Sequence, residues 1–411
     1  MLRSSEDAAN LRKTLQVSAA FVVAAAVLGA GPALAEGAKI GAAIPMTGAL
    51  QTFGPTTLSG IQMAVDEVNA AGGVLGGELE LVVGDTQTNP QAGVDAAKRL
   101  VTVDGVAGIV GALSSGVTIP IASSVTSVEG VPQISTASTS PVITTLDDND
   151  FLFRTTPHDA VQGQLLARLV QEEGVGAVGI VYVNNDYGQG LAEAFRDNYE
   201  GQITEMVAYE EKQASYRGEL SLAAGGGADA LILIGYPEEG IPILRQSLEE
   251  GYFEAFIFTD GMKANDVVEA IGQQFLEGSF GTAPESVADA PAAARWRELY
   301  TQTVGELPTD RPFIDTAYDA AMVLALAIEA AGSTDGTAIR DAIRKVSNPP
   351  GTEILPGDFA KAKELIAAGE DIDYVGAAGS QDFDDAGDVP GTFGHWVFEG
   401  GGVKTVKLLE N

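Results

Sequence analysis

The 411-residue sequence has no cysteine and only two histidines, His158 and His395. The lack of cysteine excludes disulfide bonds, thiol nucleophiles, thiolate metal sites and lipid attachment to a cysteine. Two histidines far apart in sequence leave little scope for a histidine-based catalytic or metal centre, and no Walker A motif occurs. We therefore expect no metal, no organic cofactor and no enzymatic activity.

Basic residues are also scarce, because 23 Lys and Arg stand against 57 Asp and Glu, a formal net charge of −34. Such a surface repels phosphate backbones, so nucleic acid is not an expected partner. The hydrophobic content of 45% is too high for a disordered chain. The length predicts two or three domains with sizeable cores.

The N-terminus has the pattern of a secretory signal peptide. Arg3, Arg12 and Lys13 precede an uncharged segment, 14–35, which ends in the small-x-small sequence Ala-Leu-Ala. A membrane anchor is the alternative, since the segment is long enough to span a bilayer. Its polar and small residues favour cleavage, and we predict that residues 1–35 are removed and the mature protein resides in the periplasm.

The rest of the chain alternates between strand-like and helix-like segments, which predicts parallel sheets with crossover helices. A strand at 39–44, for example, precedes a helix at 56–71 whose apolar residues follow the 3,4 spacing of one helix face. The alternation restarts near 155–158, and a strand-rich tail covers 382–409. We therefore predict an α/β protein with two doubly wound parallel-sheet lobes. Small ligands bind beyond the carboxyl ends of such strands, which selects the loops at 45–54, 112–118, 135–141, 184–190, 235–240 and 260–264.

Two of these loops are rich in hydroxyl groups. The sequences Ser114-Ser115-Gly116 and Ser138-Thr139-Ser140 each follow a strand and precede a helix start. Hydroxyls and free N–H groups at such positions form a seat for a carboxylate or phosphate, although simple helix capping explains each loop equally well. Together, two adjacent seats could hold one carboxylate from two sides.

In the second half of the chain, Asp260 ends a strand and is followed by Gly261. Its carboxylate could pair with an ammonium group in the same crevice, while the alternative is an ordinary Asp-Gly turn. Aromatic residues that lie in or beside the selected loops could line a ligand: Phe53, Tyr187, Tyr236 and Phe313.

Two other motifs do not meet their requirements. Gly188-Gln189-Gly190 resembles a dinucleotide-binding fingerprint, but Glu193 occupies the position of the third glycine. The acidic segment 382–388 resembles the start of a calcium loop, but Ala386 and Phe393 stand where ligands are required. We interpret this segment as a hairpin turn.

From about Lys39 onward the sequence resembles the Leu/Ile/Val-binding family, the type I periplasmic solute-binding proteins of branched-chain amino acid importers. The resemblance extends in the same order over nearly the whole mature chain. Its main motifs are at 44–48 (Ile-Pro-Met-Thr-Gly), 60–69 (Gly-Ile-Gln-Met-Ala-Val-Asp-Glu-Val-Asn), 111–115 (Gly-Ala-Leu-Ser-Ser), 134–139 (Ile-Ser-Thr-Ala-Ser-Thr), 186–188 (Asp-Tyr-Gly), 235–236 (Gly-Tyr) and 260–261 (Asp-Gly).

The resemblance implies a role for each candidate residue. A ligand carboxylate would be held by Ser115 and Thr139, and an ammonium group by the Ala137 carbonyl, the Thr139 hydroxyl and Asp260. The side-chain walls would be Phe53, Ser114, Tyr187, Tyr236 and Phe313. Phe53 lacks the hydroxyl of the Tyr in some members, Ser114 is polar for an apolar wall, and Asp260 is one methylene shorter than the Glu of some members.

The resemblance also implies lobes at 36–156 plus 285–390 and at 157–284 plus 391–411, joined by three hinge crossings that close on an amino-acid-like solute. It implies a monomer that serves an inner-membrane permease with ATPase subunits. Three alternatives remain: a binder of an amide or another small carboxylate, a periplasmic sensor subunit, and an exported hydrolase that uses Ser115, with Lys263 as its nearest base.

Overall fold

Two β-sheets organise the residues that the computed structural model describes, 37–410; the predicted signal peptide lies outside this range. The first sheet has the order β2-β1-β3-β4-β5, and its strands are all parallel. Its strands are β1 (Ala38–Ile44), β2 (Leu79–Asp85), β3 (Gly108–Gly111), β4 (Gln133–Ser135) and β5 (Leu152–Arg154). We call this sheet and its helices the first lobe.

The second sheet has the order β15-β14-β10-β9-β8-β6-β7. Strands β6 to β10 are parallel, whereas β14 runs antiparallel to both β10 and β15. Its strands are β6 (Ala177–Val183), β7 (Gln202–Tyr209), β8 (Ala230–Ile234), β9 (Phe256–Phe258), β10 (Phe280–Pro284), β14 (Phe393–Glu399) and β15 (Gly402–Leu409). This sheet and its helices form the second lobe.

Helices connect the strands of both sheets, and a small third sheet consists of β11 (Thr352–Ile354), β12 (Ile372–Gly376) and β13 (Gly379–Ser380). The helices are α1 (Gly54–Ala70), α2 (Pro90–Arg99), α3 (Ser115–Ile121), α4 (Ser127–Glu129), α5 (Asp159–Glu172), α6 (Asp186–Asn198), α7 (Arg217–Ala223), α8 (Pro237–Glu250), α9 (Asn265–Ile271), α10 (Pro291–Thr303), α11 (Ile314–Ala331), α12 (Gly336–Ser347) and α13 (Phe359–Ala368). Within residues 37–410, no helix is both long and apolar enough to cross a bilayer.

Helix α11 is the central helix of the first lobe. Of its 18 residues, 14 are buried, because it is apolar on nearly every face and packs against α1 and the first sheet. It begins immediately after Phe313, whose positive φ of 73° sets the direction in which the helix starts. The position of this helix therefore fixes one aromatic residue of the predicted site.

Within residues 37–410 the chain passes between the lobes three times, and the three passages run side by side. The N–H of Arg154 donates to the Gly387 carbonyl at 3.0 Å, and the N–H of Glu285 donates to the Thr392 carbonyl at 2.9 Å. These bonds link the first passage, near residue 154, and the second passage, near residue 285, to the third passage, near residues 387–392. A parallel set of connections of this kind permits lobes to rotate about a common hinge.

The predicted fold class, two α/β lobes with doubly wound sheets, is confirmed. Two details of the prediction are wrong. The second sheet is mixed rather than parallel, because the tail returns as an antiparallel pair. The segment 382–388 is a turn closed by a 2.9 Å bond from the Asp384 N–H to the Asp388 carbonyl, but it does not join two paired strands as a hairpin would.

Candidate functional site

A small cavity lies between the carboxyl ends of the two sheets. Eight of the nine residues predicted from the sequence line it: Phe53, Ser114, Ser115, Ala137, Tyr187, Tyr236, Asp260 and Phe313. Leu50, Leu113 and Gly261 complete the lining. The cavity is small and largely apolar, with its polar groups at few points, as is typical of a site for a small organic ligand.

The hydroxyl loops of the first lobe are joined at Ser115, the first residue of α3. Its Oγ accepts a hydrogen bond from the N–H of Ser140 at 3.2 Å. The neighbouring Ser114 occupies the N-cap position but makes no capping bond; its Oγ instead lies 3.1 Å from the Tyr236 hydroxyl of the second lobe. The capping interpretation therefore does not describe Ser114, and this hydroxyl pair connects the two lobes across the cavity.

Thr139 is the predicted site residue that does not line the cavity. It is fully buried, its carbonyl accepts from the N–H of Asp159 at 2.7 Å, and its hydroxyl has no partner among residues 37–410. Arg154 holds the loop on both sides of it, donating from Nη1 to the carbonyls of Ser138 at 3.3 Å and Ser140 at 2.9 Å.

Asp260 forms the acidic part of the second-lobe wall. Its Oδ1 accepts from the Tyr187 hydroxyl at 2.9 Å and from Gln162 Nε2 at 3.0 Å. Burial raises the pKa of Asp260 to about 6, against the effect of these hydrogen bonds. The Tyr187 ring stacks on Tyr236 with centroids 5.7 Å apart, so the two rings cover the acid as one unit.

The sequence interpretation missed a second acid beside this site. Asp159, the first residue of α5, is fully buried, and neither of its carboxylate oxygens has a hydrogen-bond partner in the described part of the chain. Burial, followed by the nearby Asp260 charge, raises the pKa of Asp159 well above its usual value. Gln162, one turn further along α5, donates to Asp260, so the helix that begins with Asp159 contacts the second acid directly. An acid at a helix start is usually explained by the helix dipole, so the sequence alone carried no signal.

Phe53 and Phe313 add two aromatic rings to the cavity lining, and both are nearly inaccessible to solvent. The guanidinium of Arg311 lies 5.5 Å above the Phe53 ring and supports it from behind. The lining of the cavity thus combines hydroxyl groups and one acid with apolar and aromatic side chains. This arrangement suits a small molecule with a charged head and an apolar tail.

The bases that the hydrolase alternative could use, Lys263 and the two histidines, lie outside the cavity. Lys263 Nζ lies 2.6 Å from Glu285 Oε2 and is almost completely buried, and it is not among the residues that line the cavity. Burial lowers the pKa of both His158 and His395, and neither ring lines the cavity. Neither Lys263 nor either histidine is therefore placed in the cavity beside Ser115.

The family model described as "Periplasmic binding protein" matches residues 37–365. The chain belongs to the periplasmic binding protein family. The predicted resemblance to the type I binding proteins of the Leu/Ile/Val family is thereby confirmed.

Several members of this periplasmic binding protein family are similar over most of their length. The Leu/Ile/Val-binding protein homolog 3 of Brucella melitensis is 30% identical over 356 residues, which is 85% of this chain and 95% of that protein. The substrate-binding protein BasB of the Halobacterium salinarum chemotactic signal transduction system is 26% identical. The alignment covers 84% of this chain and 82% of that protein. The crystal structure of the leucine binding protein LivK of Thermotoga maritima has a TM-score of 0.76 at 28% identity and covers 90% of this chain and 98% of that one.

Proposed function

We propose that this protein is the substrate-binding component of an ABC importer and that it binds a branched-chain or other small aliphatic amino acid between its lobes. The observation that carries the proposal is the convergence of Ser115, Ala137 and Asp260 on one cavity whose remaining lining is mainly apolar and aromatic. A serine hydroxyl suits a ligand carboxylate, and a buried aspartate suits an ammonium group. The similarity to LivK and to the Leu/Ile/Val-binding homologue supports this ligand class.

In the proposed mechanism, the first lobe binds the ligand carboxylate through Ser115 and the Ser138–Ser140 loop while the lobes are apart. Closure then brings Asp260 and the two stacked tyrosines over the ammonium group. Exclusion of water strengthens both charge-assisted contacts. We retain the predicted lobe boundaries, 36–156 plus 285–390 and 157–284 plus 391–411, because the crossings between the sheets fall near them.

Delivery depends on the difference between the open and the closed form, since a permease can distinguish an occupied protein only through its shape. We propose a monomer that presents its closed form to a membrane permease with ATPase subunits. The family membership favours a location in the periplasm or outside the cell. Removal of residues 1–35 would release the protein there.

The test uses protein that has been unfolded and refolded free of bound solute. Its thermal unfolding is measured with leucine, isoleucine, valine, alanine, simple amides and benzoate. We expect aliphatic amino acids to stabilise it by about 2.7 kcal/mol at one hundred times their dissociation constant. Asp260→Asn should abolish this gain, whereas Asp197→Asn on the exposed surface of α6 should keep it. Stabilisation by amides or benzoate alone would contradict the proposal.

A sensor subunit is the second candidate, and the similarity to BasB favours it. Both candidates bind the same ligand, so they differ only in the partner of the closed form. Co-purification of the ligand-bound protein with a permease from its own membranes would support the importer. Co-purification with a transmembrane receptor would support the sensor.

A further inference from the structure

Two buried carboxylates belong to the second lobe: Asp260 lines the cavity, and Asp159 lies beside the site without lining it. Asp159 begins α5, which packs on the second sheet, and Asp260 follows β9, which is a strand of that sheet. Both acids therefore belong to the same lobe and stay together when the lobes separate. Their relative exposures are 0% and 4%. Neither makes an ion pair in the part of the chain that the structure describes.

The charged and titratable groups around these acids do not compensate for two negative charges. The phenols of Tyr187 and Tyr236 are neutral, because burial raises the pKa of each. Arg154 is committed to Asp388 at 2.6 Å, and Lys263 is committed to Glu285 at 2.6 Å. His158, which precedes Asp159, is kept neutral because burial lowers its pKa.

Two carboxylates that share a poorly solvated site do not both ionise at neutral pH, because each charge opposes the other and burial opposes both. We propose that the ligand-free site holds one proton, which Asp159 and Asp260 share, and that the ammonium group of the incoming ligand displaces this proton into solvent. This inference rests on the proposed function. It makes binding a proton exchange that is sensitive to external pH.

The charge and the atoms balance in this exchange. The empty site has two carboxyl groups and one proton, a net charge of −1. The occupied site has two carboxylates and one ammonium, again a net charge of −1, and one proton leaves for the buffer. The buried charge therefore stays constant when the ligand binds.

The test is isothermal titration of the full chain with L-leucine at pH 7, in phosphate and in Tris, whose ionisation enthalpies differ. The dependence of the observed heat on the buffer gives the number of protons released. We expect close to one proton per leucine, and an affinity that falls about tenfold per pH unit below the titration of the pair. In Asp159→Asn the release at pH 7 should fall to near zero, and the pH dependence between pH 7 and 8 should disappear.

Asp319→Asn is the matched control. Asp319 is a fully buried acid of α11 whose pKa burial raises to about 7, but it contacts Tyr374 and the 377–381 loop rather than the cavity. Its replacement should leave the proton release unchanged. Circular dichroism establishes that each variant is folded.

Three outcomes overturn the inference. If the unmodified protein binds leucine without releasing a proton, the shared proton is refuted, but the proposed function is not. Equal release by Asp159→Asn assigns the proton to another group. Failure of every amino acid to bind refutes both this inference and the proposed function.

Discussion

Arg154 and Asp388 form a buried bidentate ion pair, although 234 positions separate them in the sequence. Arg154 Nε and Nη2 donate to the two carboxylate oxygens of Asp388 at 2.6 and 2.8 Å. The remaining nitrogen, Nη1, supports the carbonyls of Ser138 and Ser140. The third passage of the chain between the lobes therefore anchors the arginine that shapes the first-lobe loop of the site.

Asp388→Ala should destabilise the protein strongly, because it leaves the Arg154 guanidinium buried without its partner. We expect a loss of about 3–5 kcal/mol in the free energy of unfolding, measured by urea denaturation. Glu80→Gln is the control, since it breaks the half-exposed Lys39–Glu80 pair and should cost less than about 1 kcal/mol. Equal losses in the two variants would show that the buried ion pair contributes no more to the free energy of unfolding than the half-exposed pair.

Tyr187→Phe should weaken amino acid binding without disturbing the fold. The hydroxyl donates to Asp260 and so favours its charged form, while the ring stacking on Tyr236 is retained in the variant. We expect a loss of about 1–1.5 kcal/mol, or roughly tenfold in affinity, by calorimetry at pH 7. The loss should shrink at pH 8.5, where Asp260 is ionised without this help.

Tyr199→Phe is the matched control for this prediction. Its hydroxyl bonds the Val175 carbonyl at 2.8 Å, outside the cavity. The variant should therefore bind leucine as the unmodified protein does. A similar loss in both variants would indicate a general effect of removing a tyrosine hydroxyl.

The order of the elements and most of the site could be predicted because both depend on local patterns. Strand ends in parallel sheets are marked by polar, Gly-rich loops, and the carboxyl ends of the strands in each sheet lie at a common edge. The predicted helix at 56–71 corresponds to α1, Gly54–Ala70. The residues after β3, β6, β8 and β9 consequently meet in the cavity as expected.

The elements and residues that were not predicted depend on contacts between residues that are distant in sequence. Helix α5 was not predicted although its apolar residues have helical spacing, and Asp159 was overlooked with it. Strand β10 has a Gly- and Thr-containing sequence that is strand-like only because β9 and β14 flank it. The burial of Asp159 results from the packing of α5 against the second sheet and the Thr139 loop, which no local pattern encodes.

Glu239 should make the stability of the protein depend on pH. Its relative exposure is 2%, neither carboxylate oxygen has a partner among residues 37–410, and burial, with Glu211 and Glu238 nearby, raises its pKa to about 7. A raised carboxyl pKa means that the folded state binds the proton more tightly. The stability is therefore full below the usual pKa and is lost as the pH rises through about 7.

Glu239→Gln should remove this loss, because the amide resembles the neutral acid. We expect equal stability of variant and unmodified protein at pH 4, and a gain on the order of 3 kcal/mol for the variant at pH 8.5, measured by urea denaturation. Glu238→Gln, at the exposed neighbouring position, should change the stability little at either pH. A destabilised Glu239→Gln at high pH would mean that the ionised carboxylate has an unrecognised partner.

Arg311 should determine how long the closed form persists. It precedes α11 in the first lobe, lies over Phe53, and forms ion pairs with Asp310 and with Asp266 of α9 in the second lobe. The Asp310 carboxylate also accepts from the N–H of Asn265 at 3.1 Å, so the same loop is bonded twice to the second lobe. A contact that exists only between closed lobes shifts the equilibrium toward closure.

Arg311→Met should therefore weaken leucine binding by about 1 kcal/mol, or roughly fivefold. The change should appear in the dissociation rate, because the association of leucine with the open first lobe does not involve this loop. Stopped-flow fluorescence separates the two rates. Arg295→Met is the control: Arg295 pairs with Asp358 at 2.7 Å within the first lobe and should leave both rates unchanged. A slower association with unchanged dissociation in Arg311→Met would assign this arginine to ligand entry instead of closure.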